Sequence, residues 1–396
     1  MKLGLAGLSL IGFSYFNANA QENYQPKYNT IAHKMLMIED SVDDIPNNTY
    51  PTLKTLDNLI KNAENYLPKK TYSPFTNYTK EEIKEISKQI YYQIVYGNMP
   101  DINQRNDFCS KSSLVYLAIG QVYNLHFYAS MLPSDIERRG HIFVRYDRDG
   151  KHDPLNPNNP FNKGDINIET TEGEIEDEKK FSDEFYMKNY YLKKESLEKN
   201  NYLRNLNEKE LLSKAYSERM TFFFLEKDKK RKLTIQDFDA AIKDYNLAIK
   251  LDSNNFGAFL RRGLILNLKG EYKKAIENFE QALEICKDPR TYGLIAEDYT
   301  VLKEDKKAIQ EYTNAINLIE DWGKISLHQE KSLDIYKSIW LIERYHCYKK
   351  LGNNEKANQD YKNFKDIFLK YAPHDQEKFP INKIDSVITS IFKIEE

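Results

Sequence analysis

A short pattern that recurs in the C-terminal half constrains the fold of this 396-residue chain more than any other feature. Each copy reads Ala-Ile, two residues, an aromatic residue, two residues and Ala, and the copies begin at Ala241, Ala275 and Ala308. They are 34 and 33 residues apart. Self-similarity at this period is typical of helical pairs that stack into a solenoid, because one pair alone cannot bury its apolar face. The pattern predicts an all-α repeat array over residues 236–370.

The second copy resembles the tetratricopeptide repeat, a helix-turn-helix unit, because Gly263 lies twelve residues before Ala275. A degenerate further copy begins at Ala357, 49 residues after Ala308, so about fifteen residues are inserted relative to the usual period. An unrelated helical bundle is the alternative interpretation of this spacing. The resemblance implies that the array binds a protein or peptide partner.

The first twenty residues have the form of an export signal. Lys2 precedes an apolar run that ends at Phe16, and residues 18–20 form a small-x-small cleavage site. This run is too short to cross a bilayer, and no later stretch reaches the needed length without a charge. We therefore expect an exported protein, periplasmic or extracellular, with no stable membrane span. A retained anchor is the alternative.

The charge balance and the polar residues exclude several classes of ligand. The net charge is −2, and Lys and Glu alternate along presumed helix faces, so no nucleic-acid partner is expected. No His, Cys, Asp or Glu residues have the spacing of a metal site, and the turn at residues 147–150 lacks the distal Glu of a calcium loop. No metal and no cofactor are predicted. Three cysteines cannot all pair internally, and Cys286 and Cys347 could be buried thiols or a disulfide.

Residues 28–96 predict three helices, and the last has the clearest start. Thr79 and Glu82 have the spacing of a capping box in front of an apolar periodic run. After a polar loop, Cys109 opens an almost wholly apolar segment, which predicts a helix buried in a domain core. Two short strands are then predicted, over residues 141–146 and 166–171. The expected order is helix, strand, strand.

This order could assemble a reactive thiol. A Cys attacks a carbonyl as the thiolate, whose formation is favoured at a helix N-terminus and beside an imidazolium. Cys109 is placed for the first effect, and His141 could supply the second. Asn167 and Glu169 alternate onto one face of the second strand, so either could orient the His141 ring. The two residues Asn103 and Gln104 are candidate donors to an oxyanion, together with the backbone N–H of Cys109.

These residues resemble the Cys, His and Asp core of the transglutaminase-like superfamily, and the resemblance covers about a quarter of the chain. It implies a papain-like domain in which Cys109 is the nucleophile and His141 is the general base and acid. Glu169 with Thr171 stands where the family has Asp-x-Thr. Glu is one methylene longer than Asp, so Asn167 stays open as the orienting group.

The predicted fold class is an α+β papain/transglutaminase-like domain followed by an all-α tetratricopeptide solenoid. The expected segments are a signal peptide (1–20), the transglutaminase-like domain with its N-terminal helices (21–185), a helical connector (186–235), the repeats (236–370) and a C-terminal tail (371–396). The predicted function is an exported cysteine-dependent amide-bond enzyme, either a peptidase or an acyl transferase. The alternative is a non-catalytic adaptor in which the repeats bind a partner and the Cys/His domain only supports them.

Overall fold

The structure is a computed structural model. The described residues are 26–40, 53–67, 78–96, 108–132, 141–156, 159, 162, 165–170, 174–175, 181–189, 197, 202–217, 234–323 and 330–371. The predicted signal peptide, Asn103, Gln104, Thr171 and the tail after Tyr371 lie outside them. The described residues form two compact units, one ending at Asn255 and the other beginning at Phe256.

Among its described residues, the N-terminal unit opens with three helices, as the sequence predicts. They are α1 (Ile31–Asp40), α2 (Leu53–Ala63) and α3 (Lys80–Gln89), and α3 continues as a π-helical segment (Ile90–Tyr96). The capping box is present: Thr79 Oγ1 accepts a hydrogen bond from the Glu82 N–H, and Glu82 Oε2 accepts one from the Thr79 N–H. Two orphan donors at the start of α3 are thereby satisfied.

A central helix and a four-stranded antiparallel sheet follow. Helix α4 spans Phe108–Tyr123, and the strands are β1 (Phe127–Met131), β2 (Ile142–Tyr146), β3 (Ile166–Glu169) and β4 (Glu174–Ile175). The spatial order of the strands is the same as their order along the chain. Strands β1 and β4 are additions to the predicted order, which had two strands. Strand β1 follows α4 through Asn124, which adopts a positive φ of 54° and turns the chain back.

The two faces of the sheet pack against different elements. Alternate residues of β2 and β3, among them Val144 and Ile168, belong to the main core with α4. The opposite face carries Phe143, which packs with Tyr186 from helix α5 (Asp183–Asn189). This division follows from the period of two along a strand, which sends successive side chains to opposite faces.

The segment predicted as a connector contributes to this unit. Leu197 and Leu203 join the cluster around Phe143, and Leu211 joins the main core. Residues 208–217 are helical, and Ser213 Oγ donates to the Ala248 carbonyl at 2.8 Å. Ala248 lies in helix α6 (Ile235–Leu251), so α6 also belongs to the N-terminal unit.

Consecutive helices make up the C-terminal unit. They are α7 (Phe256–Leu268), α8 (Tyr272–Ile285), α9 (Pro289–Val301), α10 (Asp305–Gly323), α11 (Glu330–Lys350) and α12 (Asn354–Tyr371), each packed on the next. The Ala and aromatic residues of the recurring pattern are fully buried, as Ala275, Phe279 and Tyr312 illustrate. Cys286 and Cys347 are free thiols, so the structure contradicts a disulfide between them.

Candidate active site

His141 and Glu169 form a close pair at one end of strands β2 and β3. The His141 Nε2 donates to Glu169 Oε2 at 2.7 Å, and the exposed fractions of the two side chains are 18% and 7%. His141 directly precedes β2 and Glu169 ends β3, and these strands are antiparallel neighbours. The pairing therefore follows from strand order and from the period of two. An imidazole held by a carboxylate at one nitrogen has a defined tautomer and a stabilised protonated form.

Aromatic rings enclose this pair on the side of α5. The Phe143 ring is stacked near His141 with 6.3 Å between centroids, and it is stacked on Tyr186 at 4.6 Å. The Tyr186 hydroxyl donates to Glu169 Oε2 at 3.4 Å. No local sequence signal pairs Tyr186 with Glu169, because they come together only when α5 folds back over the sheet.

Buried hydroxyl groups join the first turns of α4 to the same end of the sheet. Thr170 Oγ1 lies 2.9 Å from Ser112 Oγ and 3.0 Å from Ser113 Oγ, and all three residues are fully buried. Ser113 also donates to the Ile142 carbonyl at 3.4 Å. Thr170 and Ile142 directly follow the residues of the His and Glu pair. Cys109 is the second residue of α4, about one helical turn before this hydroxyl cluster.

The Asn167 side chain makes hydrogen bonds on the side away from His141, in the interior between the sheet and α5. Its Oδ1 accepts from Arg145 Nε at 2.7 Å, and its Nδ2 donates to the Phe181 carbonyl and to Asp183 Oδ1, both at 2.9 Å. Arg145 and Asn167 are directly opposite each other in the β2–β3 register. This arrangement favours Glu169 over Asn167 as the group that orients His141.

A buried charged cluster surrounds Asp183. Its Oδ1 accepts from Arg145 Nη2 at 2.7 Å, and its Oδ2 accepts from His152 Nε2 at 2.6 Å. His152 Nδ1 donates to Asp165 Oδ2 at 2.9 Å, and Arg145 Nη1 donates to the Leu203 carbonyl at 2.7 Å. Because both ring nitrogens of His152 face carboxylates, the ring is held as the imidazolium. The cluster joins β2, the loop after it, α5 and the segment at Leu203.

The cluster changes the pKa values of its members. Burial would raise the pKa of Asp183, but the Arg145 guanidinium and the His152 contact outweigh burial and hold this pKa at about 2. Burial would lower the pKa of His152, but the hydrogen bonds with Asp165 and Asp183 outweigh it, and the pKa is raised above 6.5. The lowered pKa of Asp183 and the raised pKa of His152 make the stability of the unit depend on pH in opposite directions. The His152 contribution is present below pH 6.5 and is lost as pH rises through the raised pKa.

We expect the N-terminal unit to lose stability as pH falls from about 4 to about 2 because Asp183 becomes protonated. Its contribution is present above the unfolded pKa of 3.8 and is lost through the folded pKa of about 2. A shift of this size is worth about 2 kcal/mol. Urea unfolding at pH 5 and pH 2.5 measures the loss, and the Asp183→Asn variant should lose less stability between these two values. An equal loss in the variant and the wild type would refute the assignment.

In the parts of the chain that the structure describes, no group of three or more His, Cys, Asp or Glu side chains is placed to hold a metal ion. Within the same residues, every helix is too short or too polar to span a bilayer.

Family models identify the repeats. Models of the tetratricopeptide repeat match residues 257–289 and 232–255. The predicted tetratricopeptide repeats are thereby confirmed for residues 232–289. Repeats of this kind are stacked helical pairs that present extended binding surfaces, so they indicate a protein-binding role for this part of the chain.

The proteins that are similar to this chain match only part of it. Tetratricopeptide repeat protein 14 of Mus musculus is 32% identical over 110 residues, which cover 24% of this chain and 14% of that protein. The match thus spans about one seventh of that relative's length. Among solved structures, BtubC from P. vanneervenii has a TM-score of 0.34 at 17% identity, covering 45% of this chain and 69% of its own. MamA from Desulfovibrio magneticus RS-1 has a TM-score of 0.30 at 16% identity, covering 41% and 86%.

Proposed function

We propose that the N-terminal unit is a cysteine-dependent enzyme of papain or transglutaminase-like type that acts on amide bonds, and that the repeats bind its protein substrate or partner. Cys109 is the nucleophile, His141 the general base and acid, and Glu169 the group that orients His141. The observation that carries the proposal is the 2.7 Å contact between His141 Nε2 and Glu169 Oε2, at the end of the sheet to which the first turns of α4 are joined.

The route of the proton depends on which ring nitrogen of His141 is hydrogen-bonded to Glu169. With Nε2 held by the carboxylate, Nδ1 of His141 takes the proton of the Cys109 thiol. The thiolate adds to the amide carbonyl, the C–N bond breaks, and the leaving amine takes the proton from Nδ1. A thioester on Cys109 results. Water then releases the acid in hydrolysis, or a second amine takes the acyl group in transfer, and the thiol is restored.

Helix α4 supports this role for Cys109. A thiolate in the first turn of a helix is stabilised by the unsatisfied N–H groups and the positive end of the helix dipole. The same N–H groups include that of Cys109, which we propose as one donor to the oxyanion, with Gln104 or Asn103 as the second. The buried hydroxyl cluster of Ser112, Ser113 and Thr170 keeps this helix start in register with His141 and Glu169.

Export and a protein partner are part of the proposed function. The export signal predicted over residues 1–20 would take the enzyme to the periplasm or outside the cell. The tetratricopeptide repeats at residues 232–289 would hold a protein or peptide. Peptide or protein amides are therefore the substrate class that both parts of the chain favour.

We expect iodoacetamide at pH 6 to alkylate Cys109 selectively. Burial raises the pKa of Cys286 to about 12 and also raises that of Cys347, so neither competes as a thiolate. In the His141→Ala variant the rate at Cys109 should fall about tenfold, because the larger loss of thiolate is partly offset by the higher nucleophilicity of a more basic thiol. Peptide mapping by mass spectrometry identifies the labelled Cys, and Cys109→Ala is the control.

A non-catalytic adaptor is the second candidate, and the family-model matches favour it because they concern the repeats alone. If the chain is a non-catalytic adaptor, Cys109 should be labelled slowly, and the rate should be the same in the wild type and in His141→Ala. That result would contradict the proposed enzyme activity and leave protein binding as the function.

A further inference from the structure

Two donors converge on one oxygen of Glu169. Glu169 Oε2 accepts from His141 Nε2 at 2.7 Å and from the Tyr186 hydroxyl at 3.4 Å. The Tyr186 side chain is 2% exposed, and its ring lies 6.3 Å from the His141 ring. A contact of 3.4 Å is a long hydrogen bond, and such contacts in empty sites often tighten when substrate binds. Tyr186 thus contacts Glu169 and lies beside the His141 ring, the two members of the pair that the proposed function uses.

The position of Tyr186 is determined by the charged cluster. Asp183 is the first residue of α5 and lies three residues before Tyr186, less than one helical turn away. Asp183 is held by Arg145 at 2.7 Å, by His152 at 2.6 Å and by Asn167 at 2.9 Å. Arg145 is fully buried, and its guanidinium also binds the Leu203 carbonyl. The start of α5 therefore has little freedom to move relative to β2 and β3.

Aromatic packing restrains the ring itself. The Tyr186 ring is stacked on Phe143 at 4.6 Å, and Phe143 precedes Arg145 on the same face of β2. Phe185 and Phe181 contact the ring from the α5 side at 5.5 and 6.5 Å. A ring enclosed in this way keeps its hydroxyl aimed at Glu169 with little loss of rotamer entropy on substrate binding.

We propose that Tyr186 is a positioning residue of the Cys109 site: its hydroxyl holds the Glu169 carboxylate in the orientation that pairs with the His141 imidazolium, and the Arg145, Asn167, His152 and Asp183 cluster holds Tyr186 in place. This inference rests on the proposed function. It also gives Asn167 a role different from the one its position on the strand predicts. Asn167 supports the site through α5 and does not itself orient the imidazole.

A second donor to a carboxylate favours its ionised form. Without the hydroxyl, Glu169 keeps fewer donors in a site where it is almost fully buried, and its protonation becomes easier. The loss of one long hydrogen bond to this carboxylate should change its pKa by about half a unit to one unit. The effect should appear on the low-pH limb of any reaction that needs the ionised pair.

The test uses the full chain and the Tyr186→Phe variant, which keeps the ring and removes the hydroxyl. The rate of Cys109 alkylation by iodoacetamide is measured from pH 4 to pH 9. We expect the low-pH limb of the variant to move to higher pH by about half a unit to one unit. The control is Tyr123→Phe, which removes another buried tyrosine hydroxyl, one that donates to the Ile60 carbonyl at 2.9 Å in the main core. The control variant should give the wild-type profile.

The outcomes separate this inference from the function on which it rests. Selective labelling of Cys109 with superimposable wild-type and Tyr186→Phe profiles would overturn the role of Tyr186 alone. An equal shift in both Tyr→Phe variants would also overturn it, because general loosening would then explain the change. If the wild type shows no selective labelling of Cys109, the proposed function fails and this inference fails with it.

Discussion

The Arg145→Met variant is expected to lose about 3–5 kcal/mol in the free energy of unfolding of the N-terminal unit. Arg145 is fully buried and donates to Asn167, Asp183 and the Leu203 carbonyl. Met has a similar volume, so the lost packing is small. The cost comes from leaving the Asp183 carboxylate without its guanidinium partner, so that His152 is its remaining cation, and from leaving the Leu203 carbonyl without this donor. Urea unfolding at pH 7, followed by circular dichroism, measures the difference.

The matched control is Arg148→Ala, since Arg148 is exposed and lies three residues further along the chain. A surface change of this kind should stay within about 0.5 kcal/mol of the wild type. A loss at Arg145 no larger than that at Arg148 would show that the charged cluster does not stabilise the unit. If Arg145→Met still folds, its Cys109 should also be alkylated more slowly, because α5 is no longer held over Glu169.

The Phe279→Ala variant should destabilise the C-terminal unit by about 3–5 kcal/mol. Phe279 is fully buried and lies against Gly263, where an added Cβ would come within 2.5 Å of the ring. The ring and the glycine are therefore complementary in size, and removing the ring leaves a cavity that helices α7 and α8 cannot close without moving together. Thermal unfolding of the full chain, followed by tryptophan fluorescence, reports on this unit, because both tryptophans of the chain, Trp322 and Trp340, lie in it.

Lys273→Ala serves as the control for that variant, because Lys273 is exposed on the same helix. Its unfolding should match the wild type within about 0.5 kcal/mol. A Phe279→Ala variant as stable as Lys273→Ala would mean that the contact with Gly263 carries no packing energy. The recurring pattern would then reflect something other than the close approach of paired helices.

Recurring patterns and short motifs in the sequence predicted much of the fold. The repeats recur at 34 and 33 residues, and the family models confirm them for residues 232–289. The capping box at Thr79 was predictable because its two partners are three residues apart. Strand β1 was not predicted, since its stretch of Ala129, Ser130 and Met131 has a weak strand composition. Its pairing with β2 over five residues decides its conformation.

The candidate site was only partly predictable, because some of its contacts follow from local alternation along strands and others join residues that are far apart in the sequence. His141 and Glu169 meet because alternation along adjacent strands is a local rule, and alternation also put Asn167 on that face. Only the cross-strand register, which sets Asn167 opposite Arg145, separates the two candidates. Arg145 and the Leu203 carbonyl are 58 residues apart, and His152 and Asp183 are 31 apart. Contacts at such separations leave no periodic signal in the sequence.

The hydrogen bonds between residues 208–217 and helix α6 affect where the chain can be cut. Ser213 donates to the Ala248 carbonyl, and Asn255 Nδ2 donates to Ser213 and Ser217. A fragment that stops before Ile235 would keep these serines and lose their partners, so it should be prone to aggregate. A fragment that runs to Asn255 retains them. Expression trials and limited proteolysis should therefore find that the stable N-terminal fragment ends at about Asn255, where the repeat matched over residues 232–255 ends, and not in front of that repeat.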